Sequence, residues 1–305
     1  MADSITAGGI AVPLSHPEKV LFPADGITKQ DLARYYADVA DRMLPPLRDR
    51  PITMMRYPDG LDGPRIVQKN VPAYFPEWIR RVEVPKESGG VVEQAVCDKP
   101  ATLVYLANQA CLEVHAFTSR VGRLDAPDQL VFDFDPPDTK HFEQVRQAAL
   151  WARDLLEREL GLITYVRTTG GRGLHVHVPL DRRAGFDAVL DFTHRAAAVL
   201  ARGHPDVITT EQRKDQRGQR IYADVMRNGY AQLVVASYSV RARPGAPVAT
   251  LLSWPEVEQP GLDPAQFTLA TVRARRADGA DPWAGFARRA RGLVRASRRL
   301  DELAR

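Results

Sequence analysis

The chain carries, at residues 130–137, the stretch Leu-Val-Phe-Asp-Phe-Asp-Pro-Pro. Apolar, strand-forming residues before two prolines predict a strand that ends at Pro136, because proline cannot donate a hydrogen bond to a neighbouring strand. Side chains two residues apart on a strand share one face and lie about 6.6 Å apart along the chain. Asp133 and Asp135 are therefore predicted to place two carboxylates together at a strand end.

A carboxylate pair of this kind predicts a metal site. Each carboxylate raises the pKa of the other unless a cation lies between them, and a set of oxygen ligands suits Mg²⁺ or Mn²⁺. A third acid, Asp224, lies in an otherwise apolar predicted strand, where an unpaired charge is costly. Three acids from two strands are what a two-metal site requires. An Asp-Pro turn for the pair, and an ion pair of Asp224 with Arg220 or Arg227, are the alternatives.

The segments around this strand alternate between strand and helix patterns. We predict strands at 52–56, 101–106, 111–117, 129–134, 163–167 and 173–180, and a hairpin of strands 219–225 and 230–240 joined near Asn228-Gly229. We predict helices at 28–43, from a capping box at Thr28 and Asp31, and at 141–160, 186–201 and 283–304. Their mixed order predicts an α+β fold with mainly antiparallel sheets.

A glycine-rich segment at residues 167–177, Arg-Thr-Thr-Gly-Gly-Arg-Gly-Leu-His-Val-His, predicts a cradle for an anion. Its glycines let the backbone approach closely, and successive N–H groups form an anion nest. It matches neither a Walker loop nor a dinucleotide fingerprint. A glycine hairpin without a ligand is the alternative, and we interpret His177 as structural. The candidate binding residues are Thr169, Gly170, Gly171, Arg172 and His175.

Other candidates are cations or histidines outside this segment. His115 lies on an apolar strand, where a histidine is more often a core residue, and Arg65 and Lys69 flank a loop exit that is otherwise a solvated face. A helix N-terminus attracts phosphate, and three candidate phosphate ligands surround the predicted helix start. They are His16, Lys19 and Lys29.

Length and composition describe an ordinary globular protein. The 305 residues are 44% hydrophobic and 26% charged, which excludes a disordered or fibrous chain. Cys97 and Cys111 are too few for a disulfide scaffold or a cysteine-rich zinc site. No apolar run approaches the ~20 residues of a membrane span, and the N-terminus does not resemble a signal peptide, so we expect a cytoplasmic protein.

Positive charge is concentrated at the C-terminus. The net charge is +4, but residues 271–305 hold ten arginines and four acidic residues, so the rest of the chain carries −2. Local patches must therefore hold any anionic partner. The arginine-rich end helix either grips backbone phosphate or is a solvated amphipathic helix docked through its apolar residues.

Together these motifs resemble the polymerase domain of bacterial ligase D, in the archaeo-eukaryotic primase superfamily. Residues 15–23 look like the opening of that family, and residues 56–63 like its early loop. Residues 133–137 are similar to its first catalytic motif, residues 169–175 to its second, and Asp224 to its third. Residues 238–247 and 252–254 look like the segment that follows.

The resemblance implies a primase-type catalytic core of two packed, mainly antiparallel sheets with flanking helices. We expect residues 1–305 to form a single primase–polymerase domain, with a loose arm at 1–13 and a basic helix at 283–305. Asp133 and Asp135 would bridge two metal ions, and Asp224 would complete the catalytic one. The resemblance assigns nucleotide binding to His115, Thr169, Gly170, Gly171, Arg172, His175, Arg227 and Arg241, the 5′-phosphate pocket to His16, Lys19 and Lys29, and template contacts to Arg65 and Lys69.

The same resemblance implies a DNA-repair polymerase that fills gaps during end joining. Manganese, or magnesium, is the expected metal, as two ions, and ribonucleotides are the expected substrates, with NTP or dNTP as the nucleotide. The expected partners are DNA with a gap or end bearing a 5′-phosphate, a separate DNA ligase and an end-binding protein, with no membrane. We expect a monomer in the bacterial cytoplasm, at the nucleoid. The alternatives are a primase that starts primers de novo and a non-catalytic scaffold that binds DNA ends.

Two departures from the family pattern are visible. Thr169 stands where the family usually has serine, which keeps the hydroxyl and adds a methyl group. Ile66-Val67 stands where the family often has an aromatic pair, and Tyr74, Phe75 and Trp78 are the candidates to replace its stacking on bases. No Lys-x-Asp-Gly adenylation motif occurs, so we expect a stand-alone relative or an excised domain that does not ligate.

Overall fold

The computed structural model describes residues 3–303, without the side chains of residues 276–278. The strands, in chain order, are β1 (Ser4–Ala7), β2 (Ile10–Pro13), β3 (Val20–Phe22), β4 (Ile27–Thr28), β5 (Pro51–Arg56), β6 (Ile66–Gln68), β7 (Arg81–Pro85), β8 (Val91–Val96), β9 (Cys111–Phe117), β10 (Ser119–Arg120), β11 (Arg123–Pro127), β12 (Gln129–Asp135), β13 (Tyr165–Thr168), β14 (Leu174–Pro179), β15 (Ile208–Thr209), β16 (Ile221–Asp224), β17 (Leu233–Val235) and β18 (Leu251–Leu252).

The helices, in chain order, are α1 (Lys29–Asp38), α2 (Ala40–Leu47), α3 (Pro100–Asn108), α4 (Phe142–Asp154), α5 (Phe186–Gly203), α6 (Trp254–Glu258), α7 (Leu269–Asp278) and α8 (Val294–Leu303). Within the described range, no helix has the length and apolar character needed to cross a bilayer.

The chain divides into two compact units, each assembled from separate stretches of sequence. Unit 1 consists of Met1–Gly122, Leu233–Thr250 and Ala265–Ala280, and unit 2 of Arg123–Gln232, Leu251–Pro264 and Asp281–Arg305. That the whole chain acts as one polymerase domain stays a prediction.

Unit 2 is built on a six-stranded sheet with the order β15-β16-β12-β14-β13-β18. Its pairings are antiparallel except that of β15 with β16. In β12 the side chains alternate between the two faces, so Phe132 and Phe134, both buried, point away from the face of Asp133. Helix α4 packs on β12 and β14 and buries Val145 and three alanines. Strand β12 thus carries its phenylalanines on one face and its carboxylates on the other.

Unit 1 is built on a second sheet, with the order β17-β9-β5-β8-β7 and β6 paired to β5. Its described pairings are antiparallel. Helix α1 buries Leu32, Tyr35 and Tyr36, and the hydroxyls of the two tyrosines donate to backbone carbonyls. Tyr35 Oη donates to Tyr238 O at 2.9 Å, and Tyr36 Oη donates to Leu112 O at 2.8 Å. Two mainly antiparallel sheets with helices confirm the predicted α+β class.

One predicted strand is wrong. Residues 101–106 lie in helix α3, which begins with Pro100 in its first turn. Nearly every residue of this helix is buried, so its sequence has no polar face to reveal a helical period. A short, continuous apolar run does not distinguish a buried helix from a buried strand.

The predicted hairpin around Asn228-Gly229 is also wrong. Strand β16 joins β12 and β15 in unit 2, whereas β17 pairs with β9 in unit 1. The Asn228 side chain is buried and links Val131 to Val225: it accepts from Val131 N at 2.8 Å and donates to Val131 O and Val225 O at 2.7 and 2.8 Å. This asparagine braces the end of β16 against β12 instead of forming a two-residue turn.

Both predicted terminal segments differ from the structure. The segment predicted as a loose arm forms the hairpin of β1 and β2, whose turn uses Gly8 and Gly9 at φ +58° and +80°. Positive φ at both positions suits the twist of a two-residue hairpin loop. The predicted C-terminal helix is interrupted before α8, with Gly285 at φ +82°. The parts of these predictions that concern residues 1–2 and 304–305 lie outside the described residues.

The first predicted helix is also divided. Its capping box is present, since Thr28 Oγ1 accepts from Asp31 N at 3.2 Å, but the helix breaks at Val39. Helix α2 then continues through Pro45 and Pro46, beyond the predicted end at residue 43. Neither proline has an N–H to donate to the preceding turn, and the helix ends at Leu47, directly after them.

Candidate active site

Three carboxylates meet on one face of the unit 2 sheet. Asp133 in β12 lies directly opposite Asp224 in β16, and Asp135 lies two residues further along β12. One oxygen from each of the three side chains lies within 4.8 Å of the others. The structure thus brings together the three acids that the sequence singled out.

The carboxylates differ in exposure, since Asp133 is buried, Asp224 is half-buried and Asp135 is exposed at the strand end. The surrounding protein removes water from the Asp135 carboxylate, although the residue as a whole is exposed. This desolvation, followed by the charges of Asp133 and Asp224, raises the pKa of Asp135 to about 7. Burial also raises the pKa of Asp224. The cluster therefore holds negative charge that a divalent cation would neutralise, and its all-oxygen ligands fit Mn²⁺ or Mg²⁺.

One arginine partly offsets this charge. Arg227 Nε lies 3.7 Å from Asp133 Oδ2 and 3.9 Å from Asp224 Oδ2. These are long contacts, and the Arg227 side chain is 42% exposed, so its attraction is weakened by solvent. Arg220 instead donates to the carbonyls of Arg217 and Gln216. Of the two ion pairs considered for Asp224, the structure therefore forms the one with Arg227.

His175 lies on the other side of Asp133. The register of β12 with β14 places the two residues directly opposite, and His175 Nε2 is 3.3 Å from Asp133 Oδ1. His175 is buried, and its ring packs beside that of His177 with centroids 5.6 Å apart. His175, which is predicted to bind the triphosphate, is therefore in direct contact with the carboxylate cluster.

The glycine-rich turn between β13 and β14 is organised by Thr169. Its hydroxyl accepts from Gly171 N at 3.2 Å and from Gly173 N at 3.3 Å. A side chain at Gly173 would lie 2.4 Å from Phe134 O, so only glycine allows this close approach to β12. Arg172 leaves the turn and donates to Pro137 O at 3.3 Å. The predicted cradle thus lies beside the end of β12.

A second cluster, in unit 1, joins two of the predicted nucleotide ligands. Glu113 Oε2 is 2.8 Å from His115 Nε2, and Glu113 Oε1 is 3.2 Å from Arg241 Nε. Ala242 N also donates to Glu113 Oε1 at 2.9 Å. Burial opposes ionisation of Glu113, but the hydrogen bond from His115 and the charge of Arg241 outweigh it and lower the Glu113 pKa to about 2.

Sequence reasoning missed Glu113 as a site residue. The signal was present, because Glu113 and His115 are two apart on an apolar strand and therefore share a face. The partner Arg241 is distant in sequence, and only the fold brings it to Glu113. That His115 and Arg241 bind the same nucleotide as the carboxylates stays a prediction.

The predicted phosphate ligands near the N-terminus of α1 are partly brought together. Lys29 is buried and donates to Ser15 O at 2.6 Å. Its burial, and then the charge of Lys19, lowers the pKa of Lys29. Lys19 Nζ lies 3.3 Å from Asp59 Oδ1. His16 is exposed at φ +50°, 3.7 Å from Glu18 Oε1. The two lysines form a local cationic pair, with His16 on the surface.

Arg65 and Lys69 flank β6, which presents an apolar surface. Ile66 and Val67 are 44% and 48% exposed, and Tyr74 is 62% exposed. Arg56 holds this region together, since its Nη1 donates to Gln68 Oε1 at 2.6 Å and to Tyr74 Oη at 3.4 Å.

Of the three aromatic residues proposed to replace the missing pair, two belong to the fold. Phe75 is buried, and its ring lies 4.9 Å from that of Tyr105. Trp78 is half-buried, 6.0 Å from the same ring. Tyr74 is therefore the member whose ring is accessible to a base.

Comparisons with known proteins agree on one family. A family model for the LigD primase–polymerase domain matches residues 28–283. The multifunctional non-homologous end joining DNA repair protein LigD of Mycobacterium tuberculosis is 33% identical over 273 residues, which cover 87% of this chain and 36% of that protein. The LigD of Pseudomonas aeruginosa is 31% identical over 299 residues, 98% of this chain and 35% of that protein.

A shorter relative and a solved structure support the same assignment. The bifunctional LigD of Bacillus subtilis is 32% identical over 257 residues, 84% of this chain and 41% of that protein. The chain thus spans well under half the length of these curated relatives. The polymerase domain of Mycobacterium tuberculosis ligase D, solved in complex with DNA, superposes with a TM-score of 0.85 at 32% identity, over 92% of this chain and 99% of that one. This chain has a primase-type fold and belongs to the LigD primase–polymerase family.

Proposed function

We propose that this protein is a metal-dependent nucleotidyltransferase that extends a primer across short gaps in DNA during end joining. The observation that carries the proposal is the meeting of Asp133, Asp135 and Asp224, with their oxygens within 4.8 Å of one another. The family of the chain and the names of its relatives, which are end-joining proteins, support the same activity.

In the proposed reaction, the 3′-hydroxyl oxygen of the primer attacks the α-phosphorus of the nucleotide in line, and the bond to pyrophosphate breaks. Asp133, Asp135 and Asp224 would hold two Mn²⁺ or Mg²⁺ ions, whose charge would activate the attacking oxygen and stabilise the leaving pyrophosphate. His175, beside Asp133, and Arg172, which reaches from the glycine-rich turn to Pro137 O, provide donors for phosphate oxygens. The reaction needs positioning and charge stabilisation, without a covalent enzyme intermediate.

We further propose that the substrate is a gapped or broken duplex with a 5′-phosphate, filled preferentially with ribonucleotides and with manganese as the favoured metal. Lys19 and Lys29 supply adjacent positive charge for that phosphate. A separate DNA ligase would seal the product, and an end-binding protein would hold the ends. The protein would act as a monomer in the cytoplasm, at the nucleoid.

Primer extension on a gapped duplex tests this proposal. We expect extension with Mn²⁺ exceeding that with Mg²⁺, and ribonucleotides used in preference to deoxyribonucleotides. The D133A variant should lose extension but retain DNA binding, measured by fluorescence anisotropy, whereas D206N, at an exposed loop position of the same unit, should behave as wild type. Extension by D133A would contradict the metal assignment. Product from a bare single-stranded template without a primer would show priming de novo.

Lys19 gives a separate test of the substrate end. The K19A variant should bind a 5′-phosphorylated gap about tenfold more weakly, because a charge-assisted hydrogen bond contributes roughly 1.5–3 kcal/mol. Affinity for the unphosphorylated gap should not change, and K86A, on an exposed loop of the same unit, is the control. If wild type and K19A show no preference for the 5′-phosphate, there is no such pocket.

A further inference from the structure

Arg167 is a buried cation in the row of residues that crosses the unit 2 sheet through the carboxylates. Its neighbour across the pairing of β13 with β14 is His175, and the neighbour of His175 across the next pairing is Asp133. Residues directly opposite on antiparallel strands share one face, so Arg167 lies on the face of the carboxylates. Its exposed fraction is 2%, and it is not among the predicted site residues.

The guanidinium contacts two histidine rings. Arg167 Nη2 lies 3.0 Å from His175 Nδ1, and Arg167 Nε donates to His177 Nε2 at 3.1 Å. Arginine is always protonated in proteins and has donors but no acceptor. Both ring nitrogens that face it must therefore be the unprotonated acceptors of neutral rings.

This assignment determines where the remaining ring protons lie. With Nδ1 as acceptor, His175 carries its proton on Nε2, the atom 3.3 Å from Asp133 Oδ1. With Nε2 as acceptor, His177 carries its proton on Nδ1, which is 3.0 Å from Gln129 Oε1. Arg167 thus contacts both rings, and the proton that remains on each ring faces Asp133 in one direction and Gln129 in the other.

The far end of this network is held in place by the C-terminal segment. The Trp283 ring packs against His177 with centroids 4.8 Å apart, and Trp283 Nε1 donates to Val166 O at 3.0 Å. His177 therefore cannot turn away without breaking its packing. Arg167, anchored on His177, is held at the distance from His175 that the hydrogen bond requires.

We propose that Arg167 is a positioning residue that locks His175 in its Nε2–H tautomer, so that His175 presents a hydrogen-bond donor beside Asp133. The ligand that receives this donor is a phosphate oxygen of the nucleotide, and this part rests on the proposed function. In the other tautomer, the Nε2 lone pair would face the carboxylate and the phosphate, and the contact would be repulsive. His177 is, on this account, the anchor of the positioning arginine.

The tautomer is measured directly by long-range proton–nitrogen NMR correlation on the full-length, nitrogen-15-labelled, metal-free protein at slightly alkaline pH. We expect the wild-type His175 ring to be protonated on Nε2 alone. In R167M, which removes the donors but keeps the length of the side chain, we expect a mixture of both tautomers. R146M is the matched control, because Arg146 is another buried arginine of the same unit, and it bonds to Glu143 and Val257 instead of the histidines.

Nucleotide binding provides the functional readout. R167M should bind a nucleoside triphosphate about tenfold more weakly, the loss expected for one hydrogen bond to a charged group, whereas R146M should bind it as wild type does. Equilibrium binding in the presence of Mn²⁺ measures this without turnover. R167K, which keeps the buried charge but can no longer reach both rings with a planar fork, should lose part of the affinity.

Two outcomes would overturn the proposal. One is a wild-type His175 ring protonated on Nδ1, which requires no variant to fold. The other is an R167M protein that folds and keeps both the single tautomer and the wild-type nucleotide affinity. The test is independent of polymerisation: a protein that shows the tautomer change but does not extend primers refutes the proposed function alone.

Discussion

Asp133 and Asp224 lie directly opposite each other across the pairing of β12 with β16. Side chains in such pairs have their Cβ atoms about 4.5–5.5 Å apart, and like charges at this position are destabilising. With Asp135 two residues away, the fold concentrates three negative charges on one face of a sheet. The repulsion between these charges lowers the stability of the metal-free protein, and a bound cation would relieve it.

We predict that D224N stabilises the metal-free protein. Removal of one of the two facing charges should raise the free energy of unfolding by roughly 0.2–1 kcal/mol, and the asparagine Oδ1 can still accept from Met226 N. Urea unfolding in EDTA measures the effect, with D206N as the control. Mn²⁺ should raise the melting temperature of the wild type more than that of D224N, because the ligand set is incomplete in the variant.

The pH dependence of this effect has a definite sign. The folded-state pKa of Asp135 is raised to about 7, so the folded protein binds more protons than the unfolded one between the two pKa values. Stability of the metal-free protein should therefore fall as the pH rises from about 4 to about 7, and less steeply in D224N. A D224N protein that is less stable than wild type in EDTA at neutral pH would contradict this account.

Glu113 predicts a pH dependence of stability with the opposite sign. Its pKa is lowered to about 2 in the folded protein, so its ionised form stabilises the fold above its unfolded-state pKa, and this contribution disappears as the pH falls towards 2. E113Q should be less stable than wild type by about 3 kcal/mol at neutral pH, with the difference shrinking between about pH 5 and pH 2. Urea unfolding at a series of pH values measures it.

The control for this prediction is E87Q, since Glu87 is exposed in the turn between β7 and β8 of the same unit. This control variant should have the same free energy of unfolding as the wild type at every pH. A gap between E113Q and wild type that is as large in acid as at neutral pH would mean that the contacts of Glu113 with His115 and Arg241 do not depend on its charge.

The local part of the site is the part that sequence patterns predict. A period of two between Leu130 and Asp135 is encoded in six consecutive residues, and it correctly predicts the strand, the shared face of its acids and the end at Pro136. The same holds for the cap at Thr28. Such features depend on interactions between near neighbours, which a single sequence contains.

The remaining features depend on pairing between distant segments. Asn228-Gly229 has the composition of a hairpin turn, but burial of the Asn228 amide against Val131 decides the course of the chain there. Similarly, Arg167 precedes the glycine turn without any local pattern that marks it. Its importance arises from the two histidines that the pairing of β13 with β14 places beside it.

Tyr74 provides a test of base stacking in place of the aromatic pair. Its ring is 62% exposed beside Ile66 and Val67, and stacking of one base on an aromatic ring is worth about 1–3 kcal/mol. Y74A should therefore weaken binding of a duplex with a single-stranded overhang by about tenfold. Y74F, which keeps the ring, should bind as tightly as wild type. Equal weakening by both variants would show that the hydroxyl, which lies 3.4 Å from Arg56 Nη1, is what matters.

The arginines of α8 distinguish a phosphate-binding surface from a solvated face. Ala296 and Leu300 are buried, whereas Arg295, Arg298 and Arg299 are exposed and form no ion pair with any of the acidic side chains that the structure describes. If they bind backbone phosphate, changing all three to alanine should weaken DNA binding and make its logarithmic salt dependence shallower by about one for each phosphate that is no longer neutralised. The measurement is anisotropy of labelled duplex over a range of salt concentrations.

The matched control replaces three exposed arginines that already pair with aspartates: Arg158, Arg183 and Arg213. Those groups are partly neutralised within the protein, so this triple variant should keep the wild-type slope. Equal slopes for all three proteins would identify α8 as a solvated helix, docked through its apolar side and without a role in DNA binding.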